Sequence, residues 1–246
     1  MWIEFDKIMN VRDLGGLSAA DGRTVKPGRL LRGAELGQAS EQDVAILTAL
    51  PLRHIVDFRD PKEVQHRPDR EIPGAEYHHL PVLPGLPGGP PKMTSTTPPD
   101  FAALFRGLYR KLAESPVTAE AYRSFFRVLL DSREGAVYFH CAQGKDRTGI
   151  AALLALTALG VPHGAACADY FLSNVGLKPD LERSETRDDM KWPREVREKL
   201  FFVWPQILAE YFDSLTRGWG GPMGYLRGCL GLTDADLANL RESYLE

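Results

Sequence analysis

The chain has 246 residues, of which 43% are hydrophobic and 26% charged, and a formal net charge of -3. That composition is that of an ordinary globular protein with one sizeable core, so a single domain over residues 1–246 is expected. The charge gives no global attraction to nucleic acid or anionic membranes, and an anionic substrate must be drawn by a local group of basic residues.

Cys141, Cys167 and Cys229 are odd in number, far apart and free of C-x-x-C spacing, which argues against a disulfide framework and against a zinc site. A reducing, cytoplasmic setting is the natural expectation, with leaderless export left open. No stretch approaches the roughly 20 apolar residues of a membrane span, so neither membrane insertion nor a signal peptide is expected.

In chain order, Asn10-Val-Arg-Asp-Leu-Gly-Gly16 ends in a glycine pair that reads as a tight turn. Arg23, Lys26, Arg29 and Arg32 form a basic cluster whose plain reading is a solvated face. Ser40 predicts the N-cap of a short helix stopped by Pro51, and His54 to Phe58 reads as a buried strand with Asp57 and Arg59 at its end. The stretch from Pro81 to Pro99, crowded with proline and glycine, predicts a long loop. Helices are predicted at Phe101 to Glu114 and, after Ser115-Pro116, at Thr118 to Leu130. A strand is expected at Gly135 to His140 and an apolar helix at Thr148 to Leu159. Further helices are expected at Ala165 to Ser173, from Arg194 to Arg217 with a kink at Pro205, and from the Thr233 cap to Tyr244. Helices around a few strands, with a polar loop at a strand-to-helix turn, point to a three-layer α/β domain with a short central sheet.

That turn is His140-Cys-Ala-Gln-Gly-Lys-Asp-Arg-Thr-Gly149. A thiolate is the attacking species in cysteine catalysis, so a loop that favours negative charge at Cys141 is required. Backbone amides from Ala142 through Gln143, Gly144 and Lys145 to Arg147, curled at a helix start, would supply it and would cradle a phosphate dianion. Arg147 can grip two phosphate oxygens with one planar fork. Gly144 and Gly149 suit a tight wrap, and Thr148 can donate its hydroxyl to the Cys141 sulfur. His140 reads either as a bond to the loop backbone or as packing.

The His-Cys-x5-Arg-Thr loop resembles that of the protein tyrosine phosphatase superfamily. The variant Gly-Lys-Asp-Arg-Thr-Gly, with Asn10 to Gly16, Arg29 to Arg32, Val56 to Arg59, Asp169 to Asn174 and Gly224 to Arg227, is similar to the bacterial atypical phosphatases related to mycobacterial tyrosine phosphatase B. The resemblance implies a tyrosine-phosphatase-like fold, hydrolysis of phosphotyrosine and often of phosphoserine or phosphothreonine, and in several members of phosphoinositides. Its partner would be a phosphoprotein or phosphoinositide. It needs no cofactor or metal.

Breaking the P–O bond needs a proton donor. The usual aspartate after Trp-Pro is missing, because Trp192-Pro-Arg194 and Trp204-Pro-Gln206 carry no carboxylate there. The resemblance instead assigns that role to Asp146; Asp57 is the reserve, near the substrate, if its strand end approaches the loop. Lys145 would add positive charge at the mouth of the site, either for one dianion or for a multiply phosphorylated lipid. Arg32 matches a family position and is read as either solvated or anion-binding. The stretch from Leu181 to Arg197 and the helix after it read either as a helical lid or as a wet helix face.

Overall fold

The computed structural model describes residues 1–85, 100–132, 134–186 and 192–246. Most of the proline-rich stretch expected to be a loop, 86–99, and residues 187–191 of the charged stretch lie outside these.

Five strands form one sheet in the order β1-β2-β5-β3-β4: β1 (Arg12–Asp13), β2 (Leu30–Gly33), β3 (Leu52–Asp57), β4 (Glu76–His79) and β5 (Ala136–His140). Only β1 runs antiparallel, to β2. The remaining pairs are parallel, with Leu30 to Gly33 in register with Val137 to His140, and Asp57 opposite His140. All five residues of β5 are buried, as expected of an apolar run at the centre of a parallel sheet.

Strand periodicity divides the core. Val56, Val137 and Phe139 face a large apolar cluster, while Ile55, Ala136 and Tyr138 face a smaller one. The large cluster is built with α3 (Phe101–Glu114), α4 (Pro116–Asp131) and α5 (Asp146–Ala158), which follow α1 (Glu41–Ala49) and α2 (Pro61–His66) in the chain. The smaller one is closed by Leu47 of α1 and by Ile8 of the N-terminal segment. Helices α6 (His163–Phe171), α7 (Ser173–Gly176), α8 (Lys178–Arg183), α9 (Arg194–Phe201), α10 (Pro205–Trp219), α11 (Pro222–Gly224) and α12 (Asp234–Tyr244) complete the layers. The sheet thus lies between two unequal layers, the α/β arrangement expected.

Local chemistry sets most boundaries. Ser40 and Thr233 each form a reciprocal capping box with the aspartate three residues on, Asp43 and Asp236. Ser115 caps α4 with Pro116 in its first turn. Two expectations change. The single kinked helix from Arg194 to Arg217 is two helices, because Pro205 has no amide to donate and holds Trp204 extended (φ −126°, ψ 137°). The helix after the cysteine loop begins at Asp146, two residues earlier than expected, so Asp146 and Arg147 lie in its first turn.

Candidate active site

Cys141 follows the last residue of β5 and is almost wholly buried. Between it and α5 the chain makes a loop whose carbonyls are claimed from outside. Glu35 N–H donates to Ala142 O (3.3 Å), Asn10 Nδ2 to Gln143 O (3.0 Å) and Arg32 Nη2 to Gly144 O (2.7 Å). A trans peptide sets its N–H opposite its C=O, so the amides of Gln143, Gly144 and Lys145 turn the other way, toward the concave side. Among the described residues none of these amides is spent on another protein group. Gly144 makes the wrap feasible: its φ is +67°, and a Cβ there would sit 2.3 Å from Gly33 O.

The outer clamps are themselves held. Asp169 accepts from Arg12 Nε (2.9 Å) and Arg32 Nη1 (2.6 Å), with all three side chains buried. Burial and the neighbouring Arg32 pull Arg12 down to about 10, which leaves it charged at neutral pH. The two arginines hold Asp169 below the usual carboxylate range against its burial. Arg32 is therefore no solvated residue, contrary to the plain reading of the basic cluster. Arg29 is also engaged, donating to Gly135 O, Ser132 O and Ser243 O, whereas Arg23 remains exposed and pairs with Asp21.

Arg147 is gripped by Glu63 of α2, with Nη1 2.5 Å from Oε2 and Nη2 2.9 Å from Oε1. Burial works against its charge, yet the Glu63 bonds raise it well above the ordinary arginine value. The pairing occupies one edge of the guanidinium and leaves Nε–H and the second N–H of Nη2 for another anion. Sequence reasoning missed Glu63. Asp60-Pro61-Lys62-Glu63 was the available signal, since it forms a capping box in which Glu63 also accepts from Asp60 N–H (2.7 Å).

Asp146 accepts from Tyr109 Oη (2.6 Å), and Tyr109 in turn meets Tyr170 Oη. Burial holds both phenols far above their ordinary range, so they act as neutral donors. Tyr109 had no sequence signal beyond its aromatic type, whereas Tyr170 lies in the matched segment Asp169 to Asn174.

Lys145 does not stand at the mouth as a free charge. Its Nζ is buried, donates to Leu200 O of α9 (2.5 Å), lies 4.9 Å from the Phe105 ring centre and 3.6 Å from Asp146 Oδ2. Thr148 Oγ1, expected to donate to the Cys141 sulfur, is buried and makes no hydrogen bond among the described residues. Asp57, the reserve acid, is wholly buried: Arg59 donates to both its oxygens (Nε–Oδ1 3.0 Å, Nη2–Oδ2 2.6 Å) and Tyr77 Oη adds another bond (2.7 Å). Despite burial, the His140 and Arg59 charges hold it far below the usual range, so it has no proton to give and no open edge for substrate. Behind Cys141, His140 lies between Asp57 Oδ1 (3.8 Å) and Asp69 Oδ2 (3.0 Å). Burial opposes its charge, but the two carboxylates push it up to about 9.

The site therefore combines a buried thiol, a cup of unspent amides, a fixed guanidinium and a carboxylate beside them. Such a set can bind a tetrahedral oxyanion against a sulfur nucleophile. Residues 3–246 match the profile described as a tyrosine phosphatase family. A protein of Cupriavidus necator named as a tyrosine-protein phosphatase is 35% identical over 253 residues, covering 99% of this chain and 88% of the relative. The triple specificity protein phosphatase PtpB of Mycobacterium tuberculosis is 27% identical over 268 residues, 94% of this chain and 95% of its own. The crystal structure of TpbA from P. aeruginosa is 21% identical, covering 64% of this chain and 77% of that one, with a TM-score of 0.33.

Proposed function

The chain belongs to the tyrosine phosphatase family, and from that premise we propose that it hydrolyses phosphotyrosine through a cysteinyl-phosphate at Cys141, within a single phosphatase domain. The outward-turned carbonyls of Ala142, Gln143 and Gly144 carry this reading, because they direct the intervening amides onto the space beside the sulfur. The phosphate oxygens sit on those amides and on the free edge of Arg147. Cys141 Sγ attacks phosphorus as the P–O bond to the leaving group breaks, and Asp146 delivers its proton to that oxygen. Asp146, now a carboxylate, takes a proton from the water that cleaves the S–P bond, releasing phosphate and restoring the thiolate.

Preference for a phosphoprotein over a phosphoinositide follows from Lys145. A free ammonium at the mouth would favour a multiply phosphorylated headgroup, but this one is buried, donates to Leu200 O and lies 3.6 Å from Asp146 Oδ2. The test is a panel of phosphotyrosine, phosphoserine, phosphothreonine and phosphoinositide substrates with wild type and Cys141→Ser. Phosphotyrosine turnover that is lost in Cys141→Ser supports the proposal. Faster turnover of phosphoinositides reverses the preference, and turnover of none moves the chain to a silent phosphate-binding module.

A further inference from the structure

On the sheet edge away from the cysteine loop, three metal-competent side chains converge. His54 stands opposite Glu76 in the β3–β4 register, and His78 lies two residues beyond Glu76 on the same face of β4. His54 Nδ1 and His78 Nε2 are 3.0 Å apart. The Glu76 carboxylate spans the pair, Oε2 3.7 Å from His54 Nδ1 and Oε1 3.8 Å from His78 Nε2. All the ligand atoms fall within 4.8 Å of one another.

We propose that His54, His78 and Glu76 bind one divalent ion of the zinc class, tying the edge strand β4 to β3. Two ligands each 2.0 to 2.1 Å from a tetrahedral centre must lie about 3.3 Å apart; the two nitrogens, 3.0 Å apart, are close to that spacing, and the Glu76 carboxylate faces both, one oxygen 3.7 Å from His54 Nδ1 and the other 3.8 Å from His78 Nε2. Two imidazoles and one carboxylate form a borderline donor set suited to Zn²⁺ or Co²⁺ rather than to Mg²⁺ or Ca²⁺. Binding places a lone pair of each ring on the ion and leaves its proton on the outer nitrogen, Nε2 of His54 and Nδ1 of His78. His54 and Glu76 also line a surface cavity with Asp131, Glu134 and Arg53, where the carboxylates outnumber the single guanidinium and favour a cation. His54 and His78 are mostly buried at 18% and 21% side-chain exposure, so their rings are held in place, while Glu76 at 68% is free to close on the ion.

The position separates this site from the chemistry. His54 precedes Asp57 by three strand residues, about 10 Å, toward the opposite end of the sheet from Cys141. The ion would therefore act on the strand pair and not on the phosphoryl group.

Co²⁺ titration of the full chain carrying Cys141→Ser and Cys167→Ser tests the proposal, since these changes remove the loop thiol and the thiol 3.5 Å from His163 Nε2. The expected result is one equivalent of Co²⁺ with a visible d–d band and no thiolate-to-cobalt charge-transfer band. Adding His78→Ala weakens binding at least tenfold, and so does Glu76→Gln, an exposed change that leaves folding unaffected. Zn²⁺ raises the thermal midpoint of the parent and not of these variants. Absence of saturable binding overturns the proposal, as does affinity unchanged by both variants or a charge-transfer band from the remaining Cys229.

Discussion

Glu63 and Arg147 meet fork to fork, 84 residues apart in sequence, through bonds of 2.5 and 2.9 Å. In the proposed mechanism Arg147 is thereby aimed before any substrate arrives, and the cost of fixing a long side chain is met in folding rather than in binding.

Removing that orientation is expected to harm turnover more than folding. Glu63→Gln keeps a side chain able to cap α2 but loses the charge on Arg147. A fall in kcat/KM of about 10²-fold on an aryl phosphate, with a near-native thermal midpoint, is the expected outcome. Unchanged kinetics would remove Glu63 from the site.

Asp146 should reveal itself through the leaving group. Asp146→Ala is expected to lower kcat on phosphotyrosine by about 10²- to 10⁴-fold, and far less on an aryl phosphate whose phenol is a strong acid. Equal losses on both substrates would exclude Asp146 as the acid. Tyr109→Phe, which removes the 2.6 Å bond to Asp146, is expected to give a smaller loss of the same leaving-group pattern.

His140 ties stability to pH. Its folded value of about 9 lies above the ordinary 6.5, so its ion pairs stabilise fully below about pH 6.5 and are lost as pH rises through 9. The shift corresponds to on the order of 3 kcal/mol. Urea unfolding at pH 6 and pH 9 should show this decline in wild type and not in His140→Phe. Parallel pH dependence in the two proteins would contradict it.

Asp169→Asn should be costly to the fold, because it leaves Arg12 and Arg32 buried together without their shared carboxylate. A destabilisation of about 3 to 5 kcal/mol is expected, read as a lower urea midpoint with unchanged slope. A shift under about 1 kcal/mol, the scale of an exposed pair, would show the cluster to be solvated.

The cysteine loop was legible because its parts are contiguous. Strand, cysteine, glycines, arginine and helix start all fall within Ala136 to Ala158, and tight geometry there restricts residue type directly. Capping boxes were legible for the same reason, as at Ser40 and Thr233. Tyr109 carries no comparable local mark, and although Glu63 ends a capping box and Asp169 opens a matched segment, nothing local shows that they meet Arg147 and the Arg12–Arg32 pair. Lys145 was misjudged because a lysine beside an anion site reads as a free charge until a carbonyl from α9 is seen to take it.

The sequence by itself determined several of the helices, the strands β3 and β5, the strand-to-helix turn and the identity of the groups on it, since these depend on propensities and on covalent neighbours. Only the tertiary structure decided which of those charges are available. Asp57 is closed off by Arg59 and Tyr77, Arg32 is drawn under the loop to Gly144 O, and Arg147 keeps one edge open beyond Glu63. The physical reason is that the availability of a buried charge depends on its partners in space, and apart from Arg59 the fold brings those partners from 20 to 112 residues away.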